Sequence, residues 1–103
     1  MYKLNFYVPS NEKEAVKEAL FEIGAGKFEN YEHCSFETLG IGQFKPMSNA
    51  DPYIGKIGEV ERVEEYKVEM ICQDDLITLA IKTLKEAHPY EEVAFEVFKM
   101  EDF

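Results

Sequence analysis

The stretch YKVEMICQDDLITLAIKTLKEAHP, residues 66–89, decides the fold of this chain. Apolar and polar side chains alternate over residues 66–72, which is the two-residue period of a half-buried strand. Apolar side chains then recur at helical spacing from Leu76 to Leu84, with Gln73–Asp74 as the predicted N-cap. This helix should stop at His88, because a residue that precedes proline is disfavoured in helical conformation.

The N-terminal part of the chain repeats the strand–helix arrangement. Residues 1–8 alternate, and Pro9 is expected to end the strand because it lacks the N–H that a ladder needs. A helix follows, with Ser10–Asn11 as the predicted cap and Glu14 at capping-box spacing. Gly24–Gly26 should end it in a left-handed turn.

Three further segments complete the order of elements. Residues 28–39 are predicted to form a strand, residues 93–97 the last strand, and Gly40–Gly58 a long loop, with strand as the alternative for Gln43–Pro46. Loops of this length in compact domains are commonly functional. The order β-α-β-β-α-β predicts an α+β, ferredoxin-like sandwich, in which a four-stranded antiparallel sheet carries both helices on one face.

The other face of that sheet is predicted to carry apolar side chains without a cover. Tyr7, Ile71 and Phe98 lie on or near it, together with Phe103 near the C-terminus. An exposed apolar sheet face favours association with further copies of the chain.

Composition argues against several classes of partner. The 103 residues include 21 acidic and 11 basic side chains, for a formal net charge of −10. This charge disfavours nucleic acid and anionic membrane surfaces, which bind mainly through positive side chains. No apolar run approaches the ~20 residues that span a bilayer. Two cysteines, Cys34 and Cys72, are too few for a disulfide framework and favour a cytoplasmic location.

Two histidine-containing segments are candidate metal or proton-transfer sites. His33 and Cys34 are both potential ligands of transition metals, but neighbours on a strand point to opposite faces. A core cysteine beside a surface histidine is therefore the competing interpretation. The segment His88–Glu92, HPYEE, combines an imidazole that titrates near neutrality with a tyrosine and two carboxylates. The competing interpretation is a helix-terminal histidine that the helix dipole favours.

Two other interpretations have less support. Ile54–Gly58 contains the GXXG pattern of KH nucleic-acid-binding domains, but the carboxylates of Glu59–Glu65 would repel phosphate. No nucleophile motif is present, so an enzyme is not predicted; a small enzyme would need a pocket between subunits around His88 and Tyr90.

Four blocks of the sequence resemble one known family. Asn30–Phe36, Gly40–Pro46, Asp51–Glu65 and Ala87–Ala94 are similar to the insertion domain of the bacterial YqfO group, within the family of proteins similar to the yeast NGG-interacting factor three. The closing HPYE also resembles CutA proteins. The resemblance implies a CutA/PII-like fold and a trimer. It places the family's two-metal site in a main domain that has no counterpart in residues 1–103.

The sequence thus predicts one CutA/PII-like domain over residues 1–103, as a stand-alone, cytoplasmic, non-enzymatic binding or regulatory module. We expect a homo-trimer whose loop 40–58, by analogy with PII proteins, contacts a protein or small-molecule partner. The alternative is a CutA-like protein that binds a divalent or transition metal; no cofactor is otherwise expected. The candidate contact residues are His33, Cys34, Tyr53, His88, Tyr90 and Glu91.

Overall fold

The computed structural model describes all residues from Met1 to Phe103 and confirms the predicted order of elements. The strands are β1 (Tyr2–Pro9), β2 (Phe36–Phe44), β3 (Glu61–Cys72) and β4 (Phe95–Lys99), and the helices are α1 (Lys13–Glu22) and α2 (Ile77–Ala87).

The four strands form one antiparallel sheet in the order β2-β3-β1-β4. Strand β1 lies inside the sheet, since Leu4 pairs with Met70 of β3 on one side and with Val97 of β4 on the other. Both connections through a helix therefore join strands that are not sheet neighbours, as the ferredoxin-like arrangement requires. The predicted α+β fold class is confirmed.

The hydrophobic core lies between one face of the sheet and the two helices. Alternate residues of β1 and β3 supply the sheet side, while Val16 and Leu20 of α1 and Ala80 and Leu84 of α2 supply the helix side. All four of these helix residues are completely buried. Phe21 of α1 also joins the core.

The predicted bounds of the second strand and of the loop are wrong. Residues 28–35 form a tight turn and an irregular segment, because Glu29 and His33 adopt left-handed backbone conformations that do not continue a strand. Strand β2 instead includes Gly40 and Gly42, which pair with Glu65 and Val63 of β3. The pairing with β3 outweighs the low strand propensity of glycine, and the loop is therefore residues 45–60.

The predicted helix caps are also wrong. Helix α1 begins after Glu12 and α2 after Leu76, and neither N-terminus has a side-chain cap. In both places a turn delays the helix: the Glu12 N–H donates to the Pro9 carbonyl, and the Leu76 N–H donates to that of Gln73, each over 3.0 Å. The predicted ends are confirmed, since Gly24 and Gly26 are left-handed and His88 is extended.

The uncovered face of the sheet carries a mixture of apolar and paired polar side chains. Ile71 and Phe98 flank Lys3 in register, and Tyr7 donates a hydrogen bond to Glu96 over 2.9 Å. The prediction that Tyr7, Ile71 and Phe98 lie on this face is confirmed; Phe103 is fully exposed beyond the last strand. Neither helix has the length and apolar character that crossing a bilayer requires.

Candidate functional site

A cleft of about 670 Å³ opens between the β2–β3 loop and the segment that follows α2. We call it the loop cleft. Its floor comes from the ends of β2 and β3, one wall from loop residues 45–54, and the opposite wall from residues 90–94. The side chains that matter below are Phe44, Tyr53, Glu65, Tyr90, Glu91 and Glu92.

His88 fixes the direction in which the chain leaves α2. The Tyr90 N–H donates to His88 Nδ1 over 3.1 Å, which leaves the proton of the neutral ring on Nε2. Nε2–H then donates to the Tyr7 carbonyl over 2.7 Å, one residue beyond the end of the β1–β4 ladder. Burial lowers the pKa of His88, although the bond to Tyr7 and the charge of Glu12 oppose the shift. Both ring nitrogens are therefore engaged inside the chain.

Tyr90 is the centre of an aromatic cluster in the loop cleft. Its ring centroid lies 6.0 Å from that of Phe44, 6.3 Å from that of Tyr53 and 4.9 Å from that of His88. The hydroxyl oxygen of Tyr90 is buried and has no hydrogen-bond partner. Burial, followed by the charges of Glu65 and Tyr53, raises the pKa of Tyr90 to about 12. The hydroxyl thus stays protonated at neutral pH.

Glu65 is a functional candidate that the sequence analysis did not find. It is half-buried where β3 borders the loop cleft, and burial raises the pKa of its carboxyl group. Gly42 makes room for it, since a Cβ atom at position 42 would overlap the Glu65 carboxylate. In the sequence, Glu65 looks like one of several carboxylates on a solvated strand; only the alternation of β3, which puts it on the face opposite the core, hints otherwise.

Two hydrogen bonds hold the loop against the rest of the chain. The Tyr53 hydroxyl donates to Glu12 over 2.8 Å, and the Asp51 N–H donates to the Glu91 carboxylate over 2.5 Å. The bond to Glu12 is also the main reason that the pKa of Tyr53 is raised. Since Glu91 belongs to the opposite wall, its bond connects the loop to that wall.

Four of the six predicted contact residues come together here, and two do not. Tyr53, His88, Tyr90 and Glu91 surround or support the loop cleft. His33 instead stacks on Phe21, with ring centroids 4.6 Å apart, and the Cys34 N–H donates to the Gly26 carbonyl over 2.8 Å. The sequence could not reveal this separation, because it depends on the irregular path of residues 28–35.

Two alternatives from the sequence find no support in this geometry. The structure contains no group of three or more His, Cys, Asp or Glu side chains placed to hold a metal ion. The GXXG segment at Ile54–Gly58 lies between two antiparallel strands, whereas the KH interpretation requires it to join two helices.

The fold of the chain identifies its structural class. The CutA of Archaeoglobus fulgidus, described as a periplasmic divalent cation tolerance protein, superposes with a TM-score of 0.71 over all of this chain and 87% of its own, at 16% identity. At that identity the likeness concerns the fold alone. The chain therefore has a CutA/PII-like fold.

Similarity in sequence connects the chain to a narrower group of proteins than its fold does. A Bacillus subtilis protein named GTP cyclohydrolase 1 type 2 homolog is 41% identical over 99 residues, which are 96% of this chain and 26% of the relative. A Bacillus cereus protein related to NIF3 superposes with a TM-score of 0.83 and 39% identity, over 98% of this chain and 26% of its own. No model of a known protein family matches the chain.

The chain is thus homologous to one segment of the NIF3/YqfO proteins, and the resemblance carried by the four sequence blocks is confirmed. It spans about a quarter of the length of the curated relatives that it matches.

Proposed function

We propose that this chain is a non-enzymatic binding or regulatory module: one CutA/PII-like domain over residues 1–103 that self-associates as a trimer and takes a small molecule in the loop cleft. The observation that carries the proposal is the cleft itself, where aromatic rings and carboxylates surround a buried tyrosine hydroxyl that lacks a partner. Concave sites of this volume with a few convergent polar groups are the usual form of ligand pockets.

No enzymatic role is proposed, because neither ring nitrogen of His88 is free. A general base must reach a substrate proton, and here both nitrogens of His88 are bonded to the backbone while the ring lies outside the lining of the loop cleft. His33 stacks on Phe21, with ring centroids 4.6 Å apart, and does not line the loop cleft. The loop cleft therefore offers recognition groups without a free imidazole.

The trimer is supported by the exposed side chains of the uncovered sheet face and by the trimers that the CutA/PII resemblance implies. Phe98 is 56% exposed there and Phe36, at the edge strand, 68%. The cytoplasmic location is supported by two cysteines that are both unpaired.

Exposed apolar residues of the β2–β3 loop favour a second candidate, a protein partner on the outer side of that loop. Met47 is 79% exposed, and Ile57 and Val60 are each 48% exposed. Replacement of Ile57 by serine should weaken such a partner while leaving small-molecule binding intact, because Ile57 does not line the loop cleft.

Sedimentation equilibrium and an NMR fragment screen test the proposal. We expect a mass three times that of the chain, and shifts of the amides of residues 43–54 and 90–94 with the fragments that bind. A monodisperse monomer at micromolar concentration refutes the trimer. A screen in which no fragment shifts those amides refutes the binding cleft.

A further inference from the structure

The side chains that line the loop cleft indicate the class of ligand that would bind there. Three aromatic rings converge there, because Phe44 and Tyr53 both lie about 6 Å from Tyr90 between ring centroids. The face of an aromatic ring carries negative partial charge and attracts ammonium and guanidinium groups within about 6 Å. A cluster of such rings is also able to bind a neutral apolar group, so the rings alone leave the ligand's charge open.

The charged side chains favour a cation. Three carboxylates line the loop cleft, those of Glu65, Glu91 and Glu92, against the single positive charge of Lys45. Glu91 already accepts a hydrogen bond from the loop backbone. An anionic ligand would face this carboxylate excess inside a partly desolvated site, where charge repulsion is poorly screened.

Among the three carboxylates of the loop cleft, Glu65 would be stabilised most by a positively charged ligand. It is half-buried yet belongs to none of the salt bridges of the structure. Withdrawing a carboxylate from water without a partner costs free energy, and a cation that reaches it offsets that cost. Gly42 keeps the space that this side chain occupies, so its position is set by the packing of β2 against β3.

The second unsatisfied group is the Tyr90 hydroxyl. Buried polar atoms in folded proteins nearly always have a partner, and a ligand is one explanation of an exception. Its oxygen is able to accept a hydrogen bond from an amine or a guanidinium N–H, and it feels the charge of the neighbouring Glu65. One positively charged donor group would thus satisfy both residues.

We infer that the loop cleft binds an organic cation, whose amino or guanidinium group is recognised by Glu65 and the Tyr90 oxygen and whose apolar part lies against Phe44 and Tyr53. This inference rests on the proposed function, because it names the ligand class of the same cleft.

Three probes that share a phenyl ring with a one-carbon substituent test the charge. Benzylamine is protonated at neutral pH, benzyl alcohol is neutral and benzoate is anionic. NMR titration of the ¹⁵N-labelled chain should show benzylamine shifting the amides of residues 43–54 and 90–94 at lower concentration than the other two. Glu65→Gln should weaken benzylamine binding by about tenfold or more, the effect of losing a hydrogen bond to a charged group.

Glu64→Gln is the matched control. It removes the same charge from the neighbouring, exposed residue of β3, which does not line the loop cleft, and it should leave the affinity within about twofold. Equal binding of all three probes, or equal effects of the two variants, overturns the cation inference and leaves a binding cleft. If no probe shifts those amides, the inference fails; if the fragment screen is also silent, the proposed function fails with it.

Discussion

His88 is expected to contribute more to stability than any other polar side chain near the loop cleft. Its side chain joins three segments: the end of α2, the Tyr90 backbone and β1, where the Tyr7 carbonyl lies 81 residues away in sequence. Replacement by alanine removes both hydrogen bonds and leaves the Tyr7 carbonyl and the Tyr90 N–H without these partners. The residue is only 5% exposed, so solvent does not readily replace the lost bonds.

The expected loss of unfolding free energy for His88→Ala is about 3–4 kcal/mol. Each lost hydrogen bond contributes about 1 kcal/mol, and the space left by the imidazole adds about 1–2 kcal/mol. A chain of this length has a total stability of about 5–15 kcal/mol, so the variant should still fold.

Urea denaturation followed by far-UV circular dichroism measures this loss, since the chain has no tryptophan to report by fluorescence. All variants should be compared at one protein concentration, because self-association would make stability concentration-dependent. The control is His33→Ala, which removes an exposed ring that stacks on Phe21 and should cost about 1 kcal/mol or less. If His88→Ala costs no more than His33→Ala, the structural role of His88 is refuted.

Three other outcomes are expected. The pKa of His88 is depressed in the folded state, so below pH 6.5 the unfolded chain binds a proton at His88 more readily than the folded chain does. His88 should therefore lower the free energy of unfolding toward acid by at most about 1.4 kcal/mol per pH unit. Urea curves of the wild type and of His88→Gln, recorded at several pH values, should differ in this slope. Tyr90→Phe removes a buried hydroxyl that has no partner and should leave stability unchanged or raise it by about 1–2 kcal/mol, so a loss above about 1 kcal/mol would contradict the assignment. Gly26→Ala puts a Cβ atom 2.9 Å from the Cys34 carbonyl at a left-handed residue and should cost about 2–3 kcal/mol in melting experiments, whereas Gly40→Ala, which meets open space, should cost nothing.

The fold was predictable because its main signals are local. Alternation in residues 1–8 and 66–72 and helical spacing from Leu76 to Leu84 each extend over a whole element, so no single exception hides them. His88–Pro89 and Gly24–Gly26 are stop signals whose backbone preferences act within one or two residues. The order of elements and both helix ends were confirmed, whereas β3 begins five residues before the predicted start, at Glu61, and β4 covers Phe95–Lys99 instead of residues 93–97.

The predictions that failed concern places where a distant partner decides. Gly40 and Gly42 have low strand propensity, but they belong to β2 because β3 pairs with them across the loop. The predicted caps at Ser10–Asn11 and Gln73–Asp74 were wrong, because a backbone turn at each place delays the start of the helix.

The candidate site shows the same division. The sequence by itself determined that His88, Tyr90 and Glu91 are adjacent and that a long segment precedes β3. Only the tertiary structure decided that His88 faces inward to Tyr7, that Glu65 borders the loop cleft and that His33 and Cys34 lie elsewhere. The physical reason is that the walls of the loop cleft come from segments about 40 residues apart, as the bond between Asp51 and Glu91 shows. Their approach is set by the packing of the whole sheet, which no local pattern contains.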